Sequence, residues 1–222
     1  MPTRTDRRTT RVTAETSPHG PRLVCHPGTF SARVTSVSGR LICAALVATE
    51  AGLLGGDDIG LDLRVEAGLT LALTDVAALV AYDGRELPAA WHVAVDLDSG
   101  ACLDWRCEPL IVTDGAMVSR SLEATLAGSA RLVVDETVVL GRSGQSGGVL
   151  DCATAVWRSG LPILIEQVTY DGRPAAPGQR FIRGEHRVVR TRLDTGPVSA
   201  AHAGEGTTLH LASGGTVTRW FS

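Results

Sequence analysis

The chain has 222 residues, 44% of them hydrophobic but only 4% aromatic, and a formal net charge of -3. That length can bury a sizeable core in one large β domain or two small ones, and the low aromatic content requires a core built from Val, Leu and Ala. The charge excludes a global electrostatic drive toward nucleic acid, and all 21 basic residues are arginines, so a phosphate-binding loop ending in Lys-Ser/Thr is excluded too.

In chain order, residues 1–22 are rich in Thr, Arg and Pro without an apolar period, which predicts a flexible arm. The remainder, 23–222, is expected to form a single β domain. Leu41 to Ala48 is apolar but far too short to span a bilayer, and it lies too deep to resemble a signal peptide. A soluble, cytoplasmic protein with no membrane or nucleic-acid partner is expected. From Leu23 onward, short runs of Val, Leu, Thr and Ile alternate with Gly or Asp-Gly, a pattern of strands and turns.

The runs recur. Aligned on a central glycine they read ARVTSVSGRLICAALV at Gly39, LDLRVEAGLTLALTD at Gly68, VAVDLDSGACLDWRCE at Gly100, SLEATLAGSARLVVDE at Gly128 and CATAVWRSGLPILIEQ at Gly160, at separations of 29, 32, 28 and 32 residues. Each unit reads as strand, tight hairpin-like turn, strand, with glycine supplying the positive φ. The expected fold is all-β with little helix: a β-helix or solenoid, or a layered β-sandwich, of repeated strand-turn-strand units. Ser119 to Leu126 and Val76 to Tyr82 read equally well as short helix or strand. Beyond Arg173 a loop through Pro174, Pro177 and Gly178 leads to further strand-like sequence ending at Phe221.

Few residues suggest chemistry. Gly144-Gln145-Ser146-Gly147-Gly148 fits the G-x-S-x-G nucleophile elbow, so a degenerate serine hydrolase using Ser146 is one reading. The elbow needs a following helix, however, and VLDCATAVW reads as strand. Cys102 and Cys107 sit an odd number of residues apart and point to opposite faces of a strand, and no second ligand pair completes a tetrahedral site. The five cysteines are expected to be free thiols. Carboxylates gather at Asp57, Asp58 and Asp62 and at Asp104, Glu108 and Asp114, suited to capping turns or to general acid-base work. Gly55-Gly56-Asp57 forms a loop whose backbone can approach another surface or turn a carboxylate toward an ion.

Four stretches resemble one family. AGLLGGDDIGLD at 51–62 is similar to the glycine-glycine-aspartate segment of the UreD (UreH) urease accessory proteins. LALTDVAALVAYDG at 71–84 keeps the family pattern at Thr74, Ala78 and Tyr82. GACLDWRCEPLIVTDGA at 100–116 does so at Trp105, Pro109 and Asp114-Gly115-Ala116, and VVDETVVLGR at 133–142 resembles the strand ending in Leu-Gly-Arg. Val80 and Asp83 stand where the family usually has Lys and Arg, and Gly148 near where a Glu commonly follows Gly. The resemblance implies a non-catalytic β-helical scaffold that binds a UreF-like protein, joins a UreG-like GTPase through it and docks on apo-urease. It also implies nickel in transit with no tightly bound cofactor. Asp57 and Asp62 are the candidate carboxylates on the nickel path, and Gly55, Gly56, Thr74, Tyr82, Trp105, Asp114 and Gly115 the candidate partner or structural motif. Trp105 and Tyr82 are expected in the core. A β-solenoid binding module without a metal role is the alternative.

Overall fold

The computed structural model describes residues 7–50, 52–173, 186–197, 206–211 and 214–222, and every regular element among them is a strand. A seven-stranded sheet holds β1 (Arg8–Ser17), β2 (Gly20–His26), β5 (Asp58–Val65), β8 (Ala89–Leu97), β11 (Met117–Leu126), β13 (Val149–Arg158) and β14 (Leu161–Asp171). The opposing ten-stranded sheet holds β3 (Phe30–Ser38), β4 (Leu41–Ala48), β6 (Thr70–Asp75), β7 (Leu79–Ala81), β9 (Cys102–Arg106), β10 (Leu110–Val112), β12 (Arg131–Leu140), β15 (Val188–Asp194), β16 (Thr207–His210) and β17 (Thr216–Phe221).

The middle of each sheet is parallel: β1, β5, β8, β11 and β13 in one, β4, β6, β9 and β12 in the other. Parallel neighbours cannot be joined by a hairpin and need a crossover. Here the crossover from one strand to the next is made by a strand of the opposite sheet, which winds the chain into a β-solenoid of about 4 turns. Antiparallel pairs close the ends, β1 with β2, β3 with β4, and β13 with β14.

All five repeat glycines have positive φ, but they do two different jobs. Gly39 and Gly160 turn hairpins, β3 into β4 and β13 into β14. Gly68, Gly100 and Gly128 instead turn corners from one sheet into the other, which corrects the hairpin expectation at the three inner units. The Leu69 N–H donates to the Glu66 carbonyl at 3.1 Å and the Ala101 N–H to the Asp98 carbonyl at 2.9 Å, closing corners at Gly68 (φ 66°) and Gly100 (φ 70°). A side chain in that conformation would be strained, so glycine marks the place where the strand direction changes.

Inward residues stack in ladders across the coils. Leu61, Val93 and Leu122 form one row, Leu71, Leu103 and Leu132 another, and Leu73, Trp105 and Val134 a third. All are buried at 3% exposure or less. Such alternation buries one face of the central strands, and at roughly 25 cal/mol per Å² of apolar surface it is the main favourable contribution to folding.

The flexible arm expected over residues 1–22 is corrected from Arg8 on. β1 lies parallel to β5, with Val12 and Ala14 fully buried. Its third inward residue is Thr10, whose hydroxyl donates to the Phe30 carbonyl at 3.1 Å and accepts the Phe30 N–H at 2.9 Å. A buried polar group is tolerated because it is hydrogen-bonded, and it is the residue that hides the strand's alternation. Ser119 to Leu126 lies in β11. Only Leu79–Ala81 of the 76–82 stretch is strand. The loop through Pro174, Pro177 and Gly178 lies outside the described residues.

Candidate functional site

Inward-facing positions on a two-sided solenoid should be apolar, and one layer breaks that rule. In the seven-stranded sheet the register aligns Ile59, Trp91, Arg120, Cys152 and Val168 across β5, β8, β11, β13 and β14. In the opposing sheet Glu136 pairs with Thr191, and Thr191 with Arg219. Two ion pairs cross the space between the sheets. Arg120, at 3% exposure, lies against Glu136, and the Arg219 Nη1 donates to Glu166 Oε1 at 2.8 Å. Burial works against the Arg120 charge, but Glu136 together with Cys152, Cys107 and Asp75 outweighs it, and the pKa is raised. An uncompensated charge at this depth would be prohibitive, so each guanidinium carries its carboxylate with it.

The layer encloses a cavity of about 40 Å³ whose walls include Trp91, Cys107, Arg120, Cys152, Tyr170 and Arg219. Burial pushes the Cys152 thiol up to about 12 and the Cys107 thiol well above its usual value. Both therefore stay protonated at neutral pH, and a protonated thiol is not a nucleophile. Beside the layer, Trp105 is fully buried and its Nε1–H donates to Asp75 at 2.8 Å. Burial pushes the Asp75 carboxyl up to about 6, although the hydrogen bonds from Trp105 and from the Glu108 N–H pull it down.

The motif residues gather elsewhere, in loops stacked at the other corner of the coils. A Cβ on Gly55 would lie 2.3 Å from the Gly84 Cα, and one on Gly115 2.6 Å from the Asp83 carboxyl carbon, so the two backbones touch their neighbours through glycine. Gly56 (φ 87°) completes the turn in which the Asp57 N–H donates to the Leu54 carbonyl at 3.0 Å. Asp114 Oδ1 accepts the N–H groups of Ser146 at 2.9 Å and Gly147 at 2.6 Å, tying one loop to the next. Tyr82, expected in the core, is 39% exposed with the Arg142 guanidinium 4.9 Å over its ring. It follows directly after β7, at the start of the loop. Thr74 is exposed on the outer face of β6, and Val80, in β7, pairs with Ile111 of β10.

The remaining candidates are also placed. Asp57 accepts the Leu54 N–H at 2.8 Å and meets the Arg8 Nη2 at 3.1 Å, while Asp62 lies half-exposed beside the Arg11 Nε at 3.4 Å. Both carboxylates are thus held by arginines of β1. Among the described residues no group of three or more His, Cys, Asp or Glu could hold a metal ion. Ser146 is followed three residues later by β13, a strand, where the nucleophile elbow needs a helix. All five cysteines are free. At Gly148 a Cβ would fall 2.1 Å from the Ala116 carbonyl oxygen, which is why no side chain stands there.

The polar layer went unnoticed in the sequence, yet a signal was present. In MVSRSLEATL the inward positions are Val118, Arg120, Leu122, Ala124 and Leu126, so Arg120 occupies a core position by parity alone. Outside, two apolar surfaces are uncovered. Trp157, Leu161 and Ile165 on β13 and β14 are 36%, 69% and 66% exposed, and Val34 and Val37 on the edge strand β3 are each 47% exposed.

The family model described as UreD urease accessory protein matches residues 4–220. The chain is 40% identical over 162 residues to urease accessory protein UreD 1 of Streptomyces griseus subsp. griseus, covering 71% of this chain and 62% of that protein. It is 31% identical over 174 residues to UreD 2 of Saccharopolyspora erythraea, covering 78% and 62%, and 32% identical over 191 residues to UreD of Streptomyces avermitilis, covering 82% and 75%. The chain spans about three fifths of the length of the first two relatives. The two-sheet solenoid, the glycine-lined loop stack and this match along almost the whole sequence converge: the chain belongs to the UreD urease accessory protein family.

Proposed function

We propose that the chain serves urease maturation in the cytoplasm as a non-catalytic scaffold, docking UreF-like and UreG-like proteins on apo-urease while nickel passes to the enzyme. The observation that carries this reading is the family match over residues 4–220. The geometry supports it in two ways. Exposed apolar side chains on β13, β14 and β3, with β14 and β3 at the sheet edges among the described residues, suit a protein whose surface is completed by partners. The raised thiol pKa values, which make a proton compete with any metal at Cys107 and Cys152, suit a cargo that is passed along. Asp57 and Asp62 would give a passing cation weak, hydrated contact, in competition with Arg8 and Arg11.

Co-purification tests the scaffold. Expressed alone the chain should self-associate, and co-expression with a UreF-like protein should yield a soluble complex. A monodisperse monomer that ignores UreF would contradict the proposal. Isothermal titration should find nickel binding in the micromolar range or weaker, and one tight stoichiometric site requiring Cys102 or Cys107 would overturn the idea of nickel in transit.

A further inference from the structure

β4 reads LICAALVA, apolar at every position, although only one of its faces meets the core. Ile42, Ala44 and Leu46 are buried and point inward. Leu41, Cys43, Ala45 and Val47 therefore point outward, with Leu41 36% and Val47 37% exposed. Apolar residues on both faces are the pattern of a strand covered on both sides. The parallel register carries this outer face onto the next two strands. Leu41 is level with Thr70 and Cys102, Cys43 with Ala72 and Asp104, and Ala45 with Thr74 and Arg106. Val76, just beyond β6, is 59% exposed. Ala45, Ala72 and Val76 line a groove of about 490 Å³ that also has Asp104 and Arg106 on its walls. Further across the same sheet the outward charges are already paired, Arg131 with Asp194 and Arg192 with Asp135. Asp104 and Arg106 differ: among the described residues neither makes a hydrogen bond or an ion pair.

These two opposite charges sit two residues apart on the outward side of one strand. Consider two copies with these faces together and a two-fold axis between them, running along the row Ala44–Leu73–Trp105. The axis exchanges the rows on either side of it. Asp104 of each copy then meets Arg106 of the other, Cys43 meets Ala45, Ala72 meets Thr74 and Leu41 meets Val47. Charge meets opposite charge and apolar residues meet apolar residues, which is the self-complementarity that an isologous contact requires. Face-to-face sheets pack with their strands nearly aligned, and the small Ala and Cys side chains of the middle rows let the backbones come close. A partner surface of a single charge sign would leave Asp104 or Arg106 desolvated and unpaired. We propose that the outer face of β4, β6 and β9 is the interface of a symmetric dimer of this chain. It gives a surface to the self-association expected of the isolated chain, and it needs neither urease nor another protein.

Sedimentation velocity of the purified full chain over roughly 1–100 µM should show a monomer–dimer equilibrium. Asp104→Arg sets like charges against each other across the axis and should weaken dimerisation at least about tenfold. Asp104→Arg/Arg106→Asp reverses both charges, so each again meets its opposite, and dimerisation should return to within about threefold of wild type. Both side chains point outward, and an unchanged melting temperature shows that each variant is folded. Cross-linking checks the register. In Ala45→Cys the introduced thiol should face Cys43 of the other copy, so oxidised glutathione should give a covalent dimer whose peptide map joins positions 43 and 45. Cys43→Ser/Ala45→Cys should give none. A chain that stays monomeric over the whole range, or a dimer that Asp104→Arg leaves intact, would overturn the proposal. So would a double reversal that recovers nothing, since the two charges would then not face each other. A single reversal that spares dimerisation and weakens capture of a UreF-like protein would overturn it by giving the face to that protein. A monomer that still binds the UreF-like protein would sink the dimer and leave the maturation reading standing.

Discussion

Trp105 and Tyr82 sit in similar strand-like sequence, yet the first is fully buried and the second is 39% exposed at a loop. Their truncations should separate sharply. Trp105→Ala removes a large ring from a closed core and should cost about 3–5 kcal/mol, whereas Tyr82→Ala, which loses an exposed cation–π contact with Arg142, should cost about 1 kcal/mol or less. Thermal unfolding of the two variants checks this, and equal losses would show that Tyr82 packs where the structure leaves it open. Asp75 gives a second test at this scale. Its folded pKa of about 6 lies above its ordinary value of 3.8, so the folded state holds the proton more tightly. Stability from this group is therefore fully present below about pH 4 and is lost as pH rises through about 6. Asp75→Asn should flatten the change in melting temperature between pH 4.5 and 7 relative to wild type, and an identical pH profile would remove Asp75 as its source. Residue roles were legible where parity applied: Arg120 falls on an inward position of its strand. They were illegible where a strand ends, as at Tyr82, because sequence does not say where β7 stops.

The strand-turn-strand period was readable because positive φ at a turn favours glycine, and all five repeat glycines have it, with Ser159 beside Gly160 also at positive φ. Whether such a glycine turns a hairpin or a corner was not readable, since both need the same backbone conformation and differ only in where the second strand finds its partner. β1 was missed for a different reason. Its inward Thr10 looks polar in sequence, and only the hydrogen bonds to Phe30 show why it is tolerated. The glycines also differ in kind, which yields a prediction about order. Gly100 has positive φ, but its nearest neighbours to an added Cβ are 3.8 Å away, so Gly100→Ala carries backbone strain alone, about 1–2 kcal/mol. Gly55 has ordinary φ, but an added Cβ would lie 2.3 Å from the Gly84 backbone, so two loops must separate. Gly55→Ala should be the more damaging of the two in urea unfolding, and the reverse order would mean that the loop stack yields easily. Asp114→Ala should free the N–H groups of Ser146 and Gly147, raising their hydrogen-exchange rates while β13 stays protected.

At the scale of the whole molecule, coils of parallel strands bury a ladder of Leu and Val on the inside and leave edges and an apolar flank on the outside. Such a body leaves apolar surface that the partners of the proposed scaffold would cover. The most direct measurement is urease activation in cells that supply apo-urease, nickel and the UreF-like and UreG-like proteins but lack a UreD counterpart. Restoring this chain should restore nickel content and activity to the urease. Asp57→Ala distinguishes two roles for that carboxylate: as a cap on Leu54 and partner of Arg8 it should lower the melting temperature of the chain, and on a nickel path it should lower activation with little change in stability. Urease that gains nickel equally well with and without the chain would contradict the account.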